Sequence, residues 1–287
     1  MYTNKDRKLF HSILDLKMGF PIAVKLKDRS YILICSSENV SNENLILMNN
    51  LSKSSLSIII NNERMRYISG NSCSEDLYSI SFSKPFTGDL CYQIACSKKK
   101  KNFSTLENAI VSSEKRQEIL KVIEVMKTDH IIPSIVIGSI DNLTIEENNN
   151  IFQLNKINLI DHSKFISTFS KSDDLKIISR TDLPILLCKR TEIISFKSKN
   201  SKKEFFALVL KKADGQELPL VRVHSQCITG DLLDSLKCDC GSQLKSSIKM
   251  MSTKGGIILY MPEEGRNIGF LNKIRAYEYQ FHGLDTI

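Results

Sequence analysis

Three of the chain's eight cysteines fall within the short window Cys227 to Cys240. Cys227 is followed by ten residues and then by Cys238-Asp239-Cys240. A Cys-x-Cys pair carries two thiols on one side of an extended segment, aimed at a common point only where the backbone turns. A third thiol from a preceding loop makes three sulfur ligands. Zinc is the metal that suits reduced thiolates. A structural zinc site closes with four protein ligands, whereas a catalytic one keeps a position for water. Three ligands with no fourth cysteine nearby favour the open kind, in which water is activated to attack an electrophilic carbon. The same spacing is met by three reduced cysteines in a tight loop with no metal. His224, on the strand leading in, is either a fourth ligand, a hydrogen-bonding residue that positions the loop, or a contact to a bound molecule. Spacing does not decide among these. Gln226 offers a neutral amide that both donates and accepts.

A second concentration is the loop Glu263-Glu264-Gly265-Arg266-Asn267-Ile268-Gly269. It follows the apolar run Ile257–Met261, and α/β folds place ligand loops after buried strands. Arg266 suits a phosphate by its forked geometry. A glutamate accepts well from the ring N–H and amino group of a guanine-like edge. Two glycines permit close backbone approach, and a following helix N-terminus adds positive potential. A solvated turn with an incidental ion pair fits the same residues. No G-x-x-x-x-G-K-[ST] is present, so a nucleotide here is not held by a P-loop.

The elements that must position these loops follow from periodicity. Glu204–Leu210 and Leu218–His224 are expected to form a hairpin over Asp214-Gly215. A helix is expected over Gly241–Met251, a strand over Ile257–Met261, and a last helix to about Gln280, closed by Gly283. Upstream, a helix is expected over Asp6–Leu16, then strands at Ile22–Val24 and Tyr31–Cys35. A short helix over Asn42–Asn49, a strand at Ser57–Ile60 and a helix from Ser112 or Ser113 to Lys127 follow. Ile131–Ile140 reads as extended, and Asp141–Asn150, acidic and Asn-rich, as a loop. Asp161 caps a further helix, Leu175–Ile178 is a strand, and Thr181-Asp182 opens a helix with Pro184 in its first turn. The pattern predicts an α+β or α/β protein of two domains, each a mixed sheet with packed helices. The expected boundaries are 1–190, a polar linker 191–203, and 204–287.

Composition narrows the class. The hydrophobic content of 41% supports a buried core. No run of eighteen apolar residues is present, so no membrane span is expected, and the start lacks the apolar core of a secretory signal. A cytoplasmic location follows, where thiols stay reduced. Cys35, Cys73, Cys91, Cys96 and Cys188 are then small core residues rather than disulfide partners. The formal charge is +8. Residues 201–287 carry 12 basic and 10 acidic side chains, so they are nearly neutral. The run Lys98–Lys101 has no interleaved aromatics and reads as a solvated loop, so nucleic acid is not the expected partner.

The residues around the cysteines resemble GTP cyclohydrolase II. That family's pattern is Arg-Val-His-Ser-Glu-Cys, Thr-Gly-Asp, Ser-Leu-Arg-Cys-Asp-Cys-Gly, Gln-Glu-Gly-Arg-x-Ile-Gly and Leu-Asn-Lys-x-Arg-Ala-Tyr. Here stand Arg222-Val223-His224-Ser225-Gln226-Cys227, Thr229-Gly230-Asp231 and Ser235-Leu236-Lys237-Cys238-Asp239-Cys240-Gly241. Glu264–Gly269 and Leu271-Asn272-Lys273-Ile274-Arg275-Ala276-Tyr277 complete the match. The resemblance spans about Phe205 to Ile287. It implies one zinc per chain on Cys227, Cys238 and Cys240. It implies GTP contacts from Arg222, Val223, His224, Ser225, Gln226, Gln243, Glu264, Gly265, Arg266 and Thr286. It further implies magnesium with the phosphates, opening of the guanine imidazole ring, and release of formate and pyrophosphate. A homodimer is the assembly it favours. Gln226 stands where the family has Glu, and Pro262-Glu263 where it has Arg-Gln. The family's catalytic Asp and nucleophilic Arg match positions beyond Ile287. No catalytic residue is therefore assigned within 1–287, and little turnover is expected from these residues alone. The alternative is an inactive relative that binds zinc and GTP or a partner subunit.

The first 190 residues resemble, at their two ends, 3,4-dihydroxy-2-butanone 4-phosphate synthase. The likeness lies in Gly19–Val24, Cys35–Glu38, Leu175–Ile178 and Thr181–Leu183. The family's acidic Arg-Glu-x-Glu-Gly-Asp loop is replaced by Lys27-Asp28-Arg29-Ser30-Tyr31, and no His-Thr-Glu is found. Magnesium prefers clustered carboxylates, so an inactive relative is expected.

Overall fold

A computed structural model describes residues 4–70, 74–81, 87–97, 107–110, 113–140, 145–169, 175–198, 203–211 and 218–284. The chain divides into two compact units, Met1–Ser170 and Lys171–Ile287.

In chain order the first unit contains α1 (Asn4–Met18), β1 (Ile22–Lys25), β2 (Tyr31–Ser36), α2 (Asn42–Leu51), β3 (Ser57–Asn61) and α3 (Asn62–Ser69). β4 (Leu77–Ser81), α4 (Gly88–Cys96), β5 (Glu107–Ile110), α5 (Ser113–Thr128) and β6 (Ile135–Ile140) follow. The unit closes with α6 (Ile145–Leu154), β7 (Asn158–Asp161) and α7 (His162–Phe169). The strands make one sheet in the order β5-β4-β3-β6-β2-β1-β7. All pairings are antiparallel except β1 with β7.

Both faces of this sheet are covered, which is why its central strands read as unbroken apolar runs. Strand alternation sends Ile22, Val24, Ile32 and Ile34 to a core shared with Leu9, Ile13 and Leu16 of α1, with α5, and with Phe165 of α7. Ala23, Leu33 and Cys35 face the opposite core, with α2, α3, α4 and Phe152 of α6. Asp161 caps α7 as expected, its Oδ1 accepting from Lys164 N at 3.1 Å. Cys35, Cys91 and Cys96 are buried and Cys188 is half-buried, and none of the four is in a disulfide. Burial pushes the Cys35 thiol well up and the Cys91 thiol up to about 12, so both stay protonated. Cys73 and Lys98–Lys101 lie outside the described residues.

The second unit contains β8 (Leu175–Asp182), β9 (Thr191–Ser198), β10 (Glu204–Leu210), β11 (Leu220–Ser225), a π-type turn (Ile228–Leu232), α8 (Cys240–Lys254) and β12 (Gly256–Met261). A single turn, α9 (Glu264–Asn267), and α10 (Phe270–Phe281) complete it. The sheet order is β11-β12-β10-β9-β8. β11 and β12 are parallel, and the other pairings are antiparallel. Leu244, Ile248 and Met251 of α8 pack on Leu208 and Ile258 of the sheet. The two units are therefore each a mixed sheet with packed helices.

Five expectations are corrected. β10 and β11 do not form a hairpin, because β12 lies between them and pairs with both. The connection β11–α8–β12 is instead a parallel unit with a helical crossover. No helix begins at Thr181: β8 runs on through Asp182, paired Thr181↔Ile193 and Asp182↔Glu192. Pro184, with no N–H to give a ladder, follows the strand's end, and Ile185 and Cys188 then close a tight turn. Residues 191–198, expected as linker, are β9, which pairs with β8 on one side and β10 on the other. The division falls between Ser170 and Lys171 rather than near residue 190. Finally, α6 begins at Ile145 within the segment expected as a loop, anchored by Phe152 against Tyr31 with ring centroids 6.2 Å apart. Residues 141–144 lie outside the described residues.

Candidate metal centre

β11 and β12 run side by side and end together, Ser225 opposite Met261. Gln226 N donates to Met261 C=O at 2.8 Å, so the two loops that follow leave from the same end of the sheet. That is the end where parallel α/β units gather ligands. The loop after β11 carries the cysteines, and the loop after β12 carries Glu264–Gly269.

The sulfur-carrying loop is wound by Asp231. Its Oδ2 accepts from Cys227 N at 3.0 Å and from the Tyr260 hydroxyl at 2.8 Å. Its own N–H donates to Cys227 C=O at 2.6 Å. His224 Nε2 lies 3.1 Å from Asp231 Oδ1. His224 is thus hydrogen-bonded within the loop, one of the uses open to it. Burial and the Asp231 carboxylate together hold the Tyr260 hydroxyl well above its ordinary value, so it remains a donor.

With the loop closed in this way, the sulfurs of Cys227, Cys238 and Cys240 all lie within 4.8 Å of one another. Cys227 Sγ is 3.5 Å from Cys238 Sγ. Sulfurs on one zinc ion at about 2.3 Å stand roughly 3.8 Å apart, so these spacings suit a shared ion. Gly230 forms the wall of the cradle. A Cβ there would lie 2.8 Å from Cys240 Cβ, 2.9 Å from Cys238 Sγ and 3.1 Å from Cys227 Sγ. Gly241 is needed where α8 starts, since a Cβ would meet Gly230 O at 2.1 Å. Among the described residues, this is the one group of three or more His, Cys, Asp or Glu side chains close enough to share an ion.

The three thiols are held unequally. Burial raises the Cys227 thiol, but donation from the Lys273 ammonium, the Thr229 hydroxyl and the Gly230 N–H outweighs it and brings it down to about 7. Burial and the two neighbouring sulfurs push Cys240 up to about 12. Three thiolates this close repel one another unless a metal sits between them.

The expected nucleotide residues divide. On β11 the period of two places Arg222 and His224 on one face and Val223 and Ser225 on the other, where both are exposed. Five consecutive side chains therefore do not meet at one point. Arg222 Nη2 donates to Gln243 Oε1 at 2.8 Å, and Gln243 Nε2 donates to Asp239 Oδ2 at 2.6 Å. This links β11 to the Cys-Asp-Cys turn. Arg222 Nε is buried with no hydrogen-bond partner. Gln226 is half-buried beside Cys227.

Both carboxylate oxygens of Glu264 are engaged inside the fold. Oε1 accepts from Lys273 Nζ at 2.6 Å and Oε2 from Ile228 N at 2.8 Å, and the residue is buried. The ammonium and the loop N–H draw it inward. Gly265, Arg266 and Asn267 then turn through the left-handed region, with φ of 62°, 58° and 67°. That conformation costs a non-glycine residue roughly 1–2 kcal/mol, and it leaves the Arg266 side chain exposed. Asn267 is held by Lys203 Nζ at 3.2 Å. Thr286 lies outside the described residues.

Residues 176–287 match the family model of GTP cyclohydrolase II. The GTP cyclohydrolase-2 of Vibrio vulnificus is 52% identical over 96 residues, covering 33% of this chain and 48% of that protein. The enzyme of Psychromonas ingrahamii is 45% identical over 113 residues, covering 39% and 54%. The chain spans about half the length of the curated relatives it matches. Across the whole chain, a two-domain 3,4-dihydroxy-2-butanone 4-phosphate synthase from A. baumannii aligns at TM-score 0.43 and 10% identity, covering 96% of this chain and 88% of that one. The Candida albicans 3,4-dihydroxy-2-butanone 4-phosphate synthase aligns at 0.45 and 14%, covering 57% and 97%.

Within the GTP cyclohydrolase II-like unit, reasoning from spacing missed the residues that shape the centre from outside it: Lys273, Thr229, Asp231, Tyr260 and Tyr277. A signal was present for two of them. Lys273 and Tyr277 are four apart on α10 and so share a face. That face meets the sulfur loop, with the Tyr277 hydroxyl 3.3 Å from Thr229 Oγ1.

Proposed function

We propose that the protein acts in the hydrolytic opening of the guanine imidazole ring of GTP, with release of formate and pyrophosphate, at a zinc ion held by Cys227, Cys238 and Cys240. The observation that carries the reading is the convergence of three cysteine sulfurs around Gly230, beside the Arg266 loop, in a region matching the GTP cyclohydrolase II family. Zinc, bound by three protein ligands with one position open, supplies Lewis acidity and an activated water.

This chain's own residues bind and orient. Arg222, whose buried Nε–H lacks an acceptor, and the exposed Arg266 are the cations for the triphosphate, with magnesium accompanying it. Gln226 and Gln243 supply amides that donate and accept near the metal. Glu264 fixes the loop through Lys273 and the Ile228 N–H. Asp231 holds the Cys227 backbone and His224 in place. No proton-transfer residue is assigned among residues 1–287. A cytoplasmic, thiol-reducing setting suits the centre.

A second reading, binding of zinc and GTP without turnover, is favoured by one further pair of facts. Gln226 replaces the family's carboxylate, and the Glu264 carboxylate is occupied by Lys273 and Ile228. For the first unit we propose an inactive relative of 3,4-dihydroxy-2-butanone 4-phosphate synthase. The reading is supported by Lys27-Asp28-Arg29-Ser30-Tyr31, which stands where that family has an acidic loop.

Equilibrium dialysis with radiolabelled GTP and ATP tests the first reading. The zinc-loaded protein should retain GTP and not ATP, and Arg222→Ala should weaken retention. Absence of GTP binding by zinc-loaded protein would overturn it. Formate release from GTP labelled at C8 separates the readings. Steady turnover by residues 1–287 alone would refute the assignment of no proton-transfer residue to them.

A further inference from the structure

Lys273 is an 8% exposed lysine whose three N–H donors are all used on one side of the metal cradle. Nζ lies 3.0 Å from Cys227 Sγ, 2.9 Å from Thr229 Oγ1 and 2.6 Å from Glu264 Oε1. Burying an ammonium is costly unless it is paired, and here the pairing is with a 6% exposed carboxylate and a sulfur. The lysine comes from α10, which contributes no sulfur. The carboxylate comes from the turn after β12, which contributes none either. Both elements nonetheless converge on one of the three cysteines.

We infer that Lys273 is a positioning residue of the metal centre: through an N–H···S hydrogen bond it aims Cys227 Sγ into the cradle and draws charge from that sulfur. The inference rests on the metal-centre reading. Three observations favour it over simple packing. First, Cys227 is the ligand farthest in sequence from the other two. Cys238 and Cys240 are held together by one turn and the start of α8, but the direction of Cys227 must be fixed from elsewhere. Second, two N–H groups donate to Cys227 Sγ, Lys273 Nζ at 3.0 Å and Gly230 N at 3.3 Å, as suits a thiolate. Third, the ammonium is itself held in register. Glu264 Oε1 takes one N–H, and Glu264 Oε2 is pinned by Ile228 N one residue beyond Cys227.

The chemical consequence is directional. A thiolate that accepts from an ammonium gives less electron density to a metal, which leaves the metal a stronger Lewis acid at its open position. Partners of this outer kind, when removed, typically change metal affinity by about 10–100-fold. Thr229 Oγ1, the third acceptor, also lies 3.3 Å from the Tyr277 hydroxyl, so displacement of Lys273 would disturb the wall of the site as well as the ligand.

Cobalt(II) in place of zinc reads the sulfur directly. The full chain is titrated with cobalt alone as wild type, as Lys273→Met, and as the double variant Glu264→Gln/Lys273→Met. The double variant removes both buried charges and keeps the test open if the single variant fails to fold. The wild type should show a sulfur-to-cobalt charge-transfer band. In the variants that band should move to lower energy. Folded variants with the wild-type band position would overturn the inference, even if affinity falls, because packing alone could lower affinity. No thiolate band in the wild type would instead refute the metal centre itself, which separates the two failures.

Discussion

Gly230→Ala puts a methyl group among the three sulfurs. The new Cβ would lie 2.8 Å from Cys240 Cβ, 2.9 Å from Cys238 Sγ and 3.1 Å from Cys227 Sγ. Gly230 does not adopt a positive φ, so alanine meets no backbone strain and the effect is steric. Overpacking by one methyl typically costs about 1–3 kcal/mol. In the metal-free protein the sulfurs can part, whereas a shared ion holds them together, so the penalty falls on metal binding. At about 1.4 kcal/mol per tenfold, zinc should bind roughly 5- to 150-fold more weakly. Competition with a chromogenic chelator measures this. Gly70→Ala is the control. Its φ is 73° and nothing lies within 4 Å of its would-be Cβ, so it should cost about 1–2 kcal/mol of stability and leave zinc affinity unchanged. Unchanged zinc affinity in a folded Gly230→Ala protein would refute the cradle.

Other outcomes follow from the same contacts. Cys238→Ser should abolish stoichiometric zinc uptake, measured by metal analysis after gel filtration. Asp231→Ala leaves the Cys227 N–H and the Tyr260 hydroxyl without their shared acceptor. It should cost on the order of 1–3 kcal/mol in denaturant unfolding and weaken zinc binding. In the metal-free protein Cys227 is held at about 7, below the ordinary value of 9.0. Its thiolate therefore adds stability that is fully present above pH 9 and lost as pH falls through about 7. Absorbance at 240 nm should show a thiolate titrating near pH 7 that disappears in Cys227→Ser. Phe152→Ala, at a side chain only 1% exposed in the first unit, should cost about 3–5 kcal/mol in denaturant unfolding.

The sulfur triad was legible in the sequence because its chemistry is carried by residue type and short spacing. The first unit's sheet was legible for a similar reason: Ile22–Val24 and Tyr31–Cys35 are apolar runs that only a doubly covered strand explains. The hairpin expectation failed because turn signals report local geometry. Asp214-Gly215 says that the chain reverses, not that β12, some forty residues on, enters between the arms. Thr181-Asp182-Leu183-Pro184 has the residues of a helix start, but pairing with Ile193 and Glu192 outweighs local preference. The partners of Glu264 were hidden for a further reason. Its carboxylate can serve a ligand or the interior equally well, and only the fold brings Lys273 and Ile228 N to it.

X-ray absorption at the zinc edge tests the central claim most directly. The account predicts three sulfur neighbours at about 2.3 Å and one lighter oxygen or nitrogen neighbour, the signature of an open three-cysteine site. A shell of four sulfurs, or one without sulfur, would contradict it.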